Sequence, residues 1–77
     1  MYNIKTIENN IKTLFTDLGI THKIFNIKSD IDNNIIHIRT KKLNGYEIKS
    51  LNQYAVYWDC KSFMGDIVDF RIKPKYV

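Results

Sequence analysis

A thiol and two imidazoles are the side chains of this sequence with the most chemistry to offer. Cys60 is the sole cysteine, and His22 and His37 are the histidines. A thiol nucleophile needs a base within hydrogen-bond reach and a third group that orients the base. Cys60 falls in the alternating set Val56, Trp58 and Cys60, which reads as the core face of a strand. His37 falls on the polar face of its own run. On that reading the two cannot meet, and a free cysteine on a core face behaves as a small hydrophobe. No catalytic residue is assigned.

Metal and phosphate chemistry fare no better. Asp30, Asp32 and Asn34 occupy the first three ligand positions of a calcium loop. The pattern then fails, with Ile35 where glycine is needed and Lys41 where the bidentate glutamate is needed. A polar turn between two strands accounts for the stretch. One cysteine excludes both a thiolate zinc cluster and an internal disulfide. Asp59, Asp66 and Asp69 could pair as acid and base, but carboxylates near a hairpin end are ordinary surface groups. No Gly-rich phosphate loop, Gly-x-Ser-x-Gly elbow or paired-histidine motif is present, and no cofactor or metal is expected.

What remains is surface chemistry. Ile35, His37, Arg39, Tyr57, Arg71 and Lys73 fall on the solvent side of their strands. Tyrosine and arginine are enriched at protein interfaces. Basic and aromatic side chains on an open sheet can also contact phosphates and stack bases. Asp59 and Asp69 interrupt that patch, and the basic-Gly-aromatic-Gly motif of sheet-based RNA binders is absent. A second candidate is an anion site at Lys41, Lys42 and Gly45, at the mouth of a helix.

The elements that position these residues follow from periodicity. Ile4, Ile7, Ile11, Leu14 and Leu18 form one helical stripe, with Asn3 as cap and Gly19 past the end, predicting a helix over 4–18. Lys5, Glu8 and Lys12 fall on the opposite side. Runs 22–28 and 34–40 read as a hairpin across a polar turn, with Phe25 and Ile27 as the core pair of the first. A second hairpin pairs a strand around Val56–Cys60 with Val68, Phe70 and Ile72, joined by the linker KSFMGD and ended by Pro74. The last residues, KYV, read as a frayed end.

Between the hairpins, Asn44-Gly45 is ambiguous. Asn-Gly signals a tight β-turn. Against this, Asn44 with Glu47 forms a capping box, and Leu43 with Ile48 forms a hydrophobic staple. Three helix signals outweigh one turn signal, which predicts a helix over 44–54. The order is α-β-β-α-β-β: an α+β fold with a four-stranded antiparallel sheet and both helices packed on one face.

At 77 residues the chain reads as a single small domain, 1–77. No apolar run reaches the roughly 20 residues of a membrane span, and the start lacks a signal-peptide pattern. A cytoplasmic setting is expected. The net charge of +4 favours acidic partners. The richness in Ile, Asn and Lys points to AT-rich coding, hence a low-GC bacterium, its phages or its mobile elements. The functional expectation is a non-enzymatic interaction module, acting as an inhibitor or adaptor. It would bind a protein partner, or itself as a homodimer, through an open sheet face. The alternative is a nucleic-acid-binding accessory protein using the same face.

Overall fold

The computed structural model describes residues 3–75. The elements among them run α1 (Ile4–Asp17), β1 (Ile24–Asp30), β2 (Ile35–Lys41), α2 (Gly45–Leu51), β3 (Ala55–Met64) and β4 (Ile67–Pro74), with short 3-10 turns before β1 and β3. The strands form one antiparallel sheet in the order β1-β2-β4-β3. The two hairpins therefore meet at β2 and β4, leaving β1 and β3 as edges. Tyr76 and Val77, most of the expected frayed end, lie outside the described residues. Lys75 is tied back by its N–H to the Tyr54 carbonyl at 2.9 Å.

Helix α1 has the ends its sequence calls for. The Asn3 side chain accepts from the Thr6 N–H at 3.0 Å. At the other end Gly19 adopts φ +70°. That left-handed residue lets the Ile20 and Gly19 N–H groups bond the Phe15 and Thr16 carbonyls, the Schellman arrangement. The apolar stripe Ile4, Ile7, Ile11 and Phe15 packs with Leu51 of α2 onto Ile36, Ile38, Phe70 and Ile72 of the central strands. Both helices thus cover one face of the sheet, as the periodicity requires.

Glu8 departs from its expected solvent side. It is buried and accepts a hydrogen bond from the Ser29 hydroxyl of β1 at 2.6 Å, with Lys12 at 3.2 Å and Lys5 at 3.7 Å. Burial pushes its carboxyl upward, but the Ser29 hydroxyl and the two lysines outweigh burial and hold it below the ordinary value. Glu47 of α2 shows the same balance: burial raises it, and the Asn44 N–H and Lys23 bring it lower. A carboxyl whose folded value is depressed stabilises the fold above the unfolded value and loses that contribution as pH falls through the folded one. The contribution of these two carboxylates should therefore be fully present above the ordinary glutamate value of 4.5 and decline below it. Thermal melts across that range check this, and Glu8→Gln should make the decline shallower.

Two edge-strand core assignments need correction. Phe25 is 52% exposed, while Ile24 packs on the core with Ile27. Val56 is 73% exposed, while Ala55 packs on the core with Trp58. The cause is the same in both. A register shift lies between Ile24 and Asn26, and another between Ala55 and Tyr57. Each β-bulge inserts one residue, and period-2 alternation inverts across it.

The KSFMGD linker is also corrected. β3 continues through Met64, and Gly65-Asp66 alone makes the turn, with Gly65 at φ +56°. Among the described residues, no helix is long and apolar enough to cross a membrane.

Candidate interaction face

The face opposite the helices is set by the same registers that build the core. In β2, Ile36, Ile38 and Thr40 are buried, so Ile35, His37, Arg39 and Lys41 point outward. In β4, Phe70 and Ile72 are buried, so Asp69, Arg71 and Lys73 point outward. Pairing then aligns His37 with Arg71, Arg39 with Asp69, Tyr57 with Lys73 and Asp59 with Arg71. The structure thus brings Ile35, His37, Arg39, Tyr57, Arg71 and Lys73 together on the sheet face opposite the helices.

Two arginine–aspartate forks organise that surface. Arg39 donates to Asp69 from Nε at 2.8 Å and from Nη2 at 3.3 Å. Arg71 donates to Asp59 from Nε at 3.0 Å and from Nη2 at 2.7 Å. Each fork is the bidentate geometry that a planar guanidinium favours. The forks hold Asp59 and Asp69 below the usual carboxylate range and raise both arginines. Asp59 and Asp69, counted from sequence as interruptions of a basic patch, are the groups that fix the arginines in place. Arg39 also lies 3.9 Å from the centre of the Phe63 ring, a cation–π contact that places Phe63 on this face.

Phe63 and Lys61 are site residues that the sequence reading missed, because it ended the strand early. The available signal was Gly65-Asp66 between Met64 and Ile67, a two-residue hairpin turn. Between the forks lies a hollow of about 400 Å³, lined by Asn26, His37, Arg39, Lys61, Asp69 and Arg71. Ile38 also lines it, but most of its side chains are charged or polar, so it suits polar contacts rather than a buried apolar ligand.

The helix-mouth site looks different in three dimensions. Asn44 caps α2, and the capping box is complete. Its side chain accepts from the Glu47 N–H at 2.8 Å, and Glu47 accepts from the Asn44 N–H at 2.9 Å. Glu47 also takes Lys23 Nζ at 3.1 Å on both oxygens. The Lys42 N–H is bonded to the Asp66 carbonyl at 2.8 Å. Lys41, Lys42 and Gly45 therefore surround a helix start that already holds a carboxylate of its own.

Cys60 pairs with Phe70 across β3–β4 and so lies on the helix side of the sheet, but at its edge it is exposed rather than buried. Partial desolvation of its sulfur, then the charges of Asp59 and Asp69, push the thiol upward, which lowers its reactivity. His37 lies on the other face. Among the described residues, no cluster of three or more His, Cys, Asp or Glu side chains could hold a metal ion. Comparison with family models, curated proteins and solved structures returns no match.

Proposed function

We propose that this chain is a small non-enzymatic interaction module that binds a protein partner through the outer face of its sheet, acting as an inhibitor or adaptor by covering part of a larger surface. The observation that carries the reading is the face itself. It is a full sheet surface without a covering layer among the described residues, with Tyr57 and Phe63 exposed beside two arginines held in fixed orientation. Rigid aromatics and pre-oriented guanidiniums lose little entropy on binding and dominate interface energetics.

The arginine forks favour a protein over a nucleic acid. Phosphate contacts would have to compete with Asp59 and Asp69 for the guanidiniums, whereas a protein surface can dock against intact forks. The nucleic-acid reading keeps one supporting observation. Lys28, Lys61 and Lys73 lie on this face and form no salt bridge among the described residues. Counterion release would then make affinity fall steeply with salt.

Affinity capture from the native host tests the proposal. A partner retained by the wild-type chain after nuclease treatment should be lost with Tyr57→Ala or Arg71→Glu. It should be kept with Lys49→Glu on α2. Tyr57→Ala should weaken binding by at least about 1–2 kcal/mol if the tyrosine sits at the centre of the contact. A partner insensitive to both outer-face substitutions, or complete loss of capture on nuclease treatment, would overturn the reading.

A further inference from the structure

Strand β3 is an edge of the sheet and, at 10 residues, the longest strand described. An edge strand presents unpaired backbone N–H and C=O groups, and soluble proteins blunt such edges with shortness, charge, proline or bulges. β3 carries little of this protection. Its charged residues are Asp59 and Lys61, and its bulges sit near its two ends. Val56, Tyr57, Phe63 and Met64, all on this strand, are large apolar side chains left exposed.

We propose that β3 pairs antiparallel with β3 of a second copy of this chain, with Cys60 opposite the second copy's Cys60, joining two sheets into one of eight strands. The register follows from charge. Residues directly opposite each other in an antiparallel pair lie on the same side of the sheet. If the two outer faces are to be continuous, the two-fold axis must fall on a residue rather than between residues. Centring on Asp59 sets two carboxylates face to face, and centring on Lys61 sets two ammonium groups face to face. Centring on Trp58 or Ser62 pairs neither charge and shortens the overlap. Centring on Cys60 sets Asp59 against the second copy's Lys61, twice by symmetry. It also sets Tyr57 against Phe63 and Val56 against Met64. Opposite charges and aromatic pairs stabilise facing strands, and like charges destabilise them.

The other edge lacks this self-complementarity. β1 can set Lys28 against a second copy's Asp30 only when centred on Ser29, at the end of the strand, where little overlap remains. The β3 pairing uses backbone groups at the edge and does not require the outer face to bind anything, so the two proposals can fail separately.

Cys60, the sole cysteine, is a built-in reporter. Copper–phenanthroline oxidises two facing thiols to a disulfide, taking two electrons and releasing two protons. The wild-type chain should give a covalent dimer of twice 9.2 kDa. A double variant, Cys60→Ser with Ser62→Cys, should not, because its two thiols would lie about 13 Å apart along the paired strands. Under reducing conditions, sedimentation equilibrium should give a dimer. Lys61→Glu should weaken it about tenfold, since two symmetry-related pairs change from attraction to repulsion. Lys61→Arg should leave it unchanged. If Lys61→Glu fails to fold by circular dichroism, Lys61→Gln replaces it and should still weaken the dimer. A reduced chain that sediments only at 9.2 kDa overturns the proposal. So does cross-linking of the double variant as fast as that of the wild-type chain, or a dimer indifferent to the charge of residue 61.

Discussion

Phe70→Ala should abolish cooperative folding. Phe70 is 1% exposed at the centre of β4, faces Ile38 on one side and Cys60 on the other, and lies 5.8 Å from the Trp58 ring. Truncating a phenylalanine in such a position costs about 3–5 kcal/mol, because the transfer term adds to the cavity left behind. A domain of this size has a total stability of only about 5 kcal/mol, without a disulfide to help. The variant should show no sharp thermal or urea transition, and its amide spectrum should lose dispersion. The outer face would go with it, since Asp69 and Arg71 flank Phe70 on the same strand. Phe25→Ala is the matched control. That ring is half exposed on the β1 edge, and its truncation should cost under about 1 kcal/mol.

The second large effect should come from Glu47. This buried carboxylate closes the capping box with Asn44 and takes both bonds from Lys23. Glu47→Ala leaves the Asn44 N–H without its acceptor and Lys23 without its counter-charge, a combined cost of about 2–3 kcal/mol. The helix it starts spans just Gly45–Leu51. A helix that short has no independent stability and exists through its caps and its packing. Urea unfolding should show a lower midpoint with an unchanged slope. Glu47→Gln should recover part of the loss, because its amide oxygen can still accept from the Asn44 N–H while the charge pair with Lys23 is gone. Equal losses for the two variants would mean that the ion pair, not the cap, carries the effect.

These two residues also mark what could be read from the sequence. Glu47 was legible because caps and staples are local. Asn44, Glu47, Leu43 and Ile48 specify each other within a few residues, and Leu43 is buried as the staple requires. The α1 stripe was legible for the same reason. Phe70 was legible because β4 alternates without interruption. Phe25 and Val56 were not, because each lies at a bulge, and a bulge leaves no mark in a two-residue repeat. Glu8 was misplaced because its partner Ser29 is distant in sequence. The outward cluster of Ile35, His37, Arg39, Tyr57, Arg71 and Lys73 was legible from alternation alone. The Arg39–Asp69 fork depended on strand order, and the Arg71–Asp59 fork on the exact register of the β3–β4 hairpin, neither of which periodicity encodes.

The strand order has a consequence of its own. β2 and β4 are each the second strand of a helix–hairpin unit, and they meet with Ile36 against Ile72 and Ile38 against Phe70. A half-turn about the point between Ile38 and Phe70 carries the β1–β2 hairpin onto the β3–β4 hairpin in strand order and direction. The sheet has the layout of two paired hairpins written into one chain. Each unit closes short loops of its own, and the seam between them is the one strand pairing that must bring distant segments together. The Arg39–Asp69 fork crosses that seam, so it forms only once the two units have docked. It is a latch between halves as well as part of the proposed interaction face.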